Sequence, residues 1–399
     1  MQNFNFYNPV NVVFGKNTIT PTLRKLIKPS QRILITYGGG SIFKNGVYDQ
    51  VIKGLEGNGH KIYEYGGITP NPRYKHGLEA IEICRKKDVN FILSVGGGSV
   101  LDCTKFIAAA AHHRGSDPWD VFSKQHLREN RPYDPIPFGD VITLPATGSE
   151  MNKNSVMSRH STGEKICLIH PSMFPKFSIL DPETTLSLPW RQTRNGIVDT
   201  FIHTIEAYVC QDNDHPVTDR LSEGLIKNLR DVSYRLLKNP NDYGARASLF
   251  WASSLALAGL TGCGLCTQDW GVHEIGHSIT AHSNTDHAQT LATVLPGYWK
   301  HQKSVKLDKL AMYAENVWGI NKGSKSYKAD VAIDKTVRWF EDIKMPITLS
   351  EAGVKPKDIP HIAEQTIKIS KQINKCEGIG QSKTIFTKDI EDILKLCRL

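Results

Sequence analysis

Between Asn195 and Val209 the chain is apolar nearly all the way round a helical projection, except for one stripe carrying Asp199, His203 and Glu206. Positions i, i+4 and i+7 share a helix face. A carboxylate and an imidazole on so apolar a helix are costly to bury unless they are paired or hold a cation. Further along, His273 and His277 are spaced to share a second helix face, and His287 follows Asn284-Thr285-Asp286. With His282, four of the 15 histidines fall within this short span. A single histidine taken alone is better read as a satisfied core or surface residue. It is the concentration that points to a divalent ion of borderline character, and Asp and His suit zinc or Fe(II).

His273-Glu274-Ile275-Gly276-His277 also matches HExxH, in which two histidines bind zinc and the glutamate activates the water of a metallopeptidase. The extended form of that pattern needs Gly and His at set offsets, where this chain has Thr280 and Ser283. The peptidase reading also leaves a second feature unexplained. Two strand-like runs are followed at once by the same tetrapeptide, Gly38-Gly39-Gly40-Ser41 and Gly96-Gly97-Gly98-Ser99, and the second opens a helix pattern over Val100–His112. Such turns let backbone N–H groups approach a pyrophosphate at the positive end of a helix. One such loop is better explained as a tight turn, whereas two in one domain favour nucleotide binding, although neither fits GxGxxG.

The elements that must position these residues alternate in the first half of the chain. Arg32–Tyr37 reads as a strand, Val47–Leu55 as a helix and Lys61–Tyr65 as a strand, with further strands at Phe91–Val95, Val141–Leu144 and Phe177–Leu180. Continuous apolar runs of this kind belong to a parallel sheet covered on both faces. From Pro189 onward helical periodicities take over, as in Asn195–Val209, Ala245–Leu260 and Lys306–Val317, after the punctuation of Asp181-Pro182 and Leu188-Pro189. The expected fold is α/β plus all-α. A Rossmann-like parallel-sheet domain over residues 1–188 precedes a helical domain over residues 189–399 that carries the histidines.

Composition excludes other classes. With 40% apolar and 22% charged residues the 399-residue chain can bury a core, and no uncharged apolar run is long enough to span a bilayer. The net charge of +9 is spread along the chain, its tightest group being Arg85-Lys86-Lys87, so nucleic acid is not expected as a partner. The opening Met1–Tyr7 lacks the features of a signal peptide, and eight scattered cysteines suit a reducing compartment, so a cytoplasmic protein is expected. Cys263 and Cys266 have CxxC spacing but no partner pair for a zinc site, and both read as small apolar fillers.

Taken together, the motifs resemble the iron-containing, group III alcohol dehydrogenases, in the branch of NADP-dependent aldehyde reductases and butanol dehydrogenases. The resemblance is carried by Tyr37–Ser41, Pro70-Asn71-Pro72, Gly96–Asp102, Leu144–Glu150, Gly196–Asp199 with His203 and Glu206, Gln268-Asp269-Trp270, and Asp286–Thr290, while residues 381–399 match nothing in it. It implies reversible hydride transfer between NADP(H) and a small aldehyde or primary alcohol, in a homodimer, with one Fe2+ or Zn2+ per chain polarising the carbonyl oxygen in a cleft beside the nicotinamide. The implied metal ligands are Asp199, His203, His273 and His287. His277 faces substrate as a proton relay, and Glu274 takes no part in catalysis. The implied cofactor contacts are Gly38, Gly39, Ser41, Asn71, Gly97, Gly98, Ser99, Asp102, Thr143, Thr147, Asn152 and Lys165. A nucleotide-binding protein that has lost turnover is the alternative from outside enzymes, and the complete ligand set argues against it.

Overall fold

The computed structural model describes residues 1–122, 134–211 and 214–399. The chain divides into two compact units, Tyr7–Pro189 with Asn241–Ser254, and Met1–Phe6 with Trp190–Pro240 and Leu255–Leu399. It leaves the first unit at Pro189 and returns to it for one helix, a return that no residue pattern announces.

In the first unit, β1 (Asn11–Phe14), β2 (Arg32–Tyr37), β3 (Lys61–Tyr65), β4 (Phe91–Gly97), β5 (Phe138–Leu144) and β8 (Phe177–Leu180) form a wholly parallel sheet in the order β1-β8-β5-β4-β2-β3. The continuous apolar runs are buried on both faces, as in Ile33, Leu34 and Ile35 of β2 and Ile92 and Leu93 of β4. Helices α1 (Ile19–Leu26), α2 (Ser41–Lys44) and α3 (Val47–Leu55) are followed by α4 (Tyr74–Lys87) and α5 (Gly98–Ala110). Ile19, Leu23, Val47 and Val51 of α1 and α3 pack on Ile33, Ile35 and Leu93 in one apolar cluster. Each such side chain contributes roughly 1.5–3 kcal/mol when fully buried. The strand at Phe91 runs on to Gly97 and the one at Val141 begins at Phe138, so both exceed the expected bounds. Two features were not anticipated: β1, and the antiparallel hairpin of β6 (Asn154–Arg159) and β7 (Glu164–Ile169), which pair from Asn154↔Ile169 to Arg159↔Glu164.

The second unit is built from helices. These are α6 (Trp190–Tyr208), α7 (Pro216–Lys238), α9 (Gly271–Ser283), α10 (His287–His301), α11 (Leu307–Trp318), α12 (Lys325–Asp342), α13 (Ile359–Asn374) and α14 (Thr387–Leu396), while most of α8 (Tyr243–Ala256) belongs to the first unit. On α6, Phe201 packs edge-on against Trp339 and Phe340 of α12, which leaves the polar stripe of α6 to another face. The segment that matched nothing in sequence is integral here, because α14 packs on α10 and α13. A Cβ at Gly297 of α10 would lie 2.5 Å from the Ile393 carbonyl oxygen, so glycine is what allows α10 and α14 to approach. Among the described residues no helix is long and apolar enough to cross a membrane.

Candidate metal centre

Asp199 and His203 stand one turn apart on α6, with His203 Nε2 3.8 Å from Asp199 Oδ1. His273, from the first turn of α9, stacks on His203 with ring centroids 4.9 Å apart and 13° between the planes. One ligand atom from each of these three buried residues lies within 4.8 Å of the others. Asp199 Oδ1 and His203 Nδ1 are buried without a hydrogen-bond partner. An orphaned buried polar atom costs about 1–3 kcal/mol, so Asp199 Oδ1, which faces His203 Nε2, calls for a ligand that satisfies it. Burial pushes the His203 imidazole down to about 4 despite the pull of Asp199, leaving it neutral with a lone pair to donate. Two imidazoles and a carboxylate fit a divalent ion of the Fe(II) or zinc type.

His287 opens α10 beside this group, its ring 5.3 Å from His273 and 5.0 Å from His277. His277 lies one turn beyond His273, with its ring at 88° to that of His273 and 6.0 Å away, and it is half-buried. The peptidase alternative fails on this geometry. The close donor group joins His273 to Asp199 and His203 rather than to His277. Glu274 accepts the Gly380 N–H at 2.9 Å and a hydrogen bond from Lys383 Nζ at 3.0 Å. Both partners lie on the chain leading to α14, so Glu274 fastens the C-terminal segment to the histidine helix.

Several groups to which sequence reasoning gave no role hold these histidines. Glu206, the third member of the α6 stripe, accepts the N–H groups of Val272 at 2.8 Å and His273 at 3.3 Å through Oε1, while its Oε2 meets His273 Nδ1. Burial, with Asp269 nearby, pushes Glu206 well above the usual carboxylate range, and the two amides pull the other way. Asp269 accepts the Gly271 N–H at 3.0 Å and the Tyr298 hydroxyl at 2.8 Å, and pairs with Lys306. At the start of α10, Asp286 takes Arg191 Nε at 2.8 Å, Arg191 Nη2 at 2.6 Å and Asn195 Nδ2 at 2.8 Å. Buried Asp and Lys residues within apolar segments were the available signal.

In the sheet unit, both glycine loops stand at the carboxyl ends of β2 and β4, which pair with each other. β3 lies on one side of β2 and β4 on the other, so the strand order reverses at this point, where open α/β sheets bind ligands. Gly38 and Gly39 lie on the turn after β2 and Ser41 opens α2, and a Cβ at Gly39 would meet nothing within 4 Å. Gly97 ends β4, and Gly98 and Ser99 open α5. A Cβ at Gly98 would fall 2.1 Å from Thr147 Oγ1, so this glycine lets the loop after β5 lie against the start of α5. Thr143 is buried within β5. Asn71 Oδ1 accepts Lys165 Nζ at 3.0 Å, joining the loop before α4 to β7.

Asp102 and Asn152 are braces in this structure. Asp102 accepts Ser149 Oγ at 2.7 Å and the Val156 N–H at 3.1 Å, while the Asn152 amide accepts the Asn154 N–H and donates to the Gly148 carbonyl, both at 2.9 Å. At their centre is Lys105, fully buried on α5, whose Nζ reaches Ser149 O, Ser149 Oγ, Asn152 O, Asn152 Oδ1 and Asn154 O at 2.7–3.3 Å. A lysine three residues after Asp102 in an otherwise apolar helix was its sequence signal. The CxxC reading needs correction, since Cys266 is exposed and Cys263 only half-buried, so neither is a core filler.

The family model for iron-containing alcohol dehydrogenase matches residues 9–182, and that for the C-terminal part of the Fe-containing alcohol dehydrogenase family matches residues 193–396. The chain belongs to the iron-containing alcohol dehydrogenase family. That second match takes in most of residues 381–399, so the segment is part of the family fold. Among relatives in this family, the chain is 44% identical to the NADPH-dependent aldehyde reductase YqhD of Escherichia coli, over 92% of this chain and 93% of that one. It is 39% identical to NADP-dependent alcohol dehydrogenase 3 of Entamoeba histolytica, over 92% and 93%. It is 37% identical to NADH-dependent butanol dehydrogenase B of Clostridium acetobutylicum, over 93% and 94%. The solved structure of E. coli YqhD superposes with a TM-score of 0.93 at 42% identity, covering 100% of this chain and 99% of that one.

Proposed function

We propose that this member of the iron-containing alcohol dehydrogenase family transfers a hydride reversibly between NADP(H) and a small aldehyde or primary alcohol. One Fe2+ or Zn2+ is held by Asp199, His203, His273 and His287. The observation that carries the reading is the buried, mutually close donor set of Asp199, His203 and His273, in a family defined by such an ion. When bound, the ion supplies Lewis acidity at the carbonyl oxygen and the reduced nicotinamide supplies the hydride.

The chain's own residues do the rest. Asp199 contributes one negative charge and the imidazoles none, so the site keeps a net positive charge toward oxygen. The apolar body of α6 keeps water from the donors. His277, half-buried with its ring 5.0 Å from that of His287, is placed to pass a proton to the product alkoxide through an imidazole nitrogen. Gly38, Gly39, Gly97, Gly98 and the hydroxyls of Ser41, Ser99, Thr143 and Thr147 offer donors to the cofactor, with Asn71 and Lys165 beside them and Asp102 and Asn152 holding the loop. The absence of a carboxylate at Gly38, with the open space above Gly39, favours NADP(H), as do the names of the relatives at 44% and 39% identity.

The free thiols of all eight cysteines fit a cytoplasmic setting. β1 is an edge strand carrying the exposed Phe14, which packs on the exposed Trp251, and this edge supports a homodimer. The test is NADPH oxidation over a panel of short aldehydes, before and after chelator treatment. Activity on the aldehydes that chelation abolishes and Fe2+ or Zn2+ restores is expected. Turnover that survives complete metal removal would overturn the reading.

A further inference from the structure

Glu206 makes a set of contacts that neither the family motif nor the ligand assignment accounts for. It stands on α6, one turn beyond His203, yet its carboxylate makes its hydrogen bonds to α9. The first amides of a helix have no partner within it. On α9 the cap residue Trp270 gives no side-chain bond, and Glu206 Oε1 takes the amides of Val272 and His273 instead. Its Oε2 meets Nδ1 of the His273 ring. One carboxylate thus caps the helix that carries a ligand and grips the ligand itself.

Resting on the ligand assignment above, we propose that Glu206 is the positioning residue for His273. It holds the ring proton on Nδ1 and so places the acceptor lone pair on Nε2, toward Asp199 and His203. A neutral imidazole has one N–H and one acceptor nitrogen, and the bond made by one nitrogen decides which is which. A carboxylate on Nδ1 also raises the basicity of Nε2, and partners of this kind are typically worth about 10- to 100-fold in metal affinity. Because Glu206 sits on the same helix as Asp199 and His203, the cap also fixes the spacing of the two helices that bring the donors together. Capping and tautomer control are separable by chemistry. Glutamine keeps an oxygen for the two amides, but it turns an NH2 group toward Nδ1, which cannot accept the ring proton.

The experiment titrates Zn2+ into metal-free parent and E206Q in competition with a chromogenic chelator, and compares their thermal unfolding without metal. The expected result is unfolding within a few degrees of the parent, with Zn2+ affinity lower by about 10- to 100-fold. Equal Zn2+ affinity in E206Q would overturn the proposal, because a cap alone survives the substitution. If the parent itself fails to bind Zn2+, the ligand assignment fails and not the role of Glu206. Should E206Q not fold, nitrogen-15 spectra of histidine-labelled, Zn2+-loaded parent decide. Metal on Nε2 of His273 with the proton on Nδ1 is expected, and metal on Nδ1 refutes the inference.

Discussion

Replacing Lys105 by Met isolates what holds the loop after β5. The two side chains have similar length, but the ammonium's five oxygen partners at 2.7–3.3 Å lose their donor. The carboxyl group of Asp102, on the same helix, loses the cation that most favours its charged form while remaining buried. Breaking a buried charged network by removing one partner costs roughly 3–5 kcal/mol. At about 2–4 °C per kcal/mol, the unfolding midpoint of the sheet unit should fall by about 6–20 °C. The loop bearing Thr147 and Asn152 also loses its anchor, so NADPH affinity should fall at temperatures where the variant is still folded. Calorimetry and NADPH fluorescence titration on the same samples measure both. A Lys105→Met variant with the parent's midpoint and the parent's affinity would refute the reasoning, since it would mean that the lysine is dispensable to the loop.

Gly38→Asp should shift cofactor preference toward NAD(H), by roughly 1–3 kcal/mol if a charge-assisted bond to the ribose replaces phosphate binding. A Cβ there lies 3.2 Å from the Ile68 carbonyl oxygen, so Gly38→Ala is the control for strain, and an unchanged ratio of NADPH to NADH efficiency counts against the NADP(H) reading. Glu274→Gln keeps an acceptor for the Gly380 N–H and should leave aldehyde reduction within a few fold of the parent. His277→Ala should lower kcat by roughly 10²- to 10⁴-fold while keeping the metal. The opposite pattern, with Glu274 essential and metal lost from His277→Ala, would revive the peptidase. Asp286 is partly buried, which raises its pKa, but Arg191 and Asn195 outweigh burial and hold it below the usual carboxylate range. Because the folded value lies below the unfolded one, its stabilisation is complete above about pH 4 and is lost as the pH falls through the folded value. Asp286→Asn should therefore lower urea stability at pH 7 by no more than about 1 kcal/mol, as for a half-exposed ion pair, and by less in acid. A larger loss in acid would contradict the assignment.

The inner sheet was legible because strands buried on both faces carry continuous apolar runs such as Ile33–Ile35. The edge strand Lys61–Tyr65, exposed at Lys61 and Glu64, was read from its β-prone Ile62, Tyr63 and Tyr65. Arg32–Tyr37, Lys61–Tyr65 and Phe177–Leu180 appear with the bounds read from their residues. The hairpin was not, because Asn154–Arg159 and Glu164–Ile169 mix polar and apolar residues that the local framework buries for other reasons, Ser155 and Lys165 among them. β1 is as short as Phe177–Leu180, but its Asn11 and Phe14 are exposed and its two valines only half-buried, so it lacks the fully buried run that marks that strand. The return of residues 241–254 to the sheet unit depends on partners distant in sequence, such as Glu150 for Ser254, which no local pattern encodes. At the metal centre the stripe on α6 and the histidine concentration were visible in the residues. What the third member of that stripe does was not, because its partners are backbone amides, which look the same in every sequence.

The account rests on a metal held by side chains of α6, α9 and α10, and His203→Ala probes that most directly. Parent and variant are dialysed together, and metal per chain is counted by elemental analysis in the same samples that are assayed for NADPH consumption with an aldehyde. The account expects about one Fe2+ or Zn2+ per chain and steady turnover in the parent, against no bound metal and no turnover in a variant that still binds NADPH. A His203→Ala protein that retains a full complement of metal and turns over at the parent's rate would contradict it.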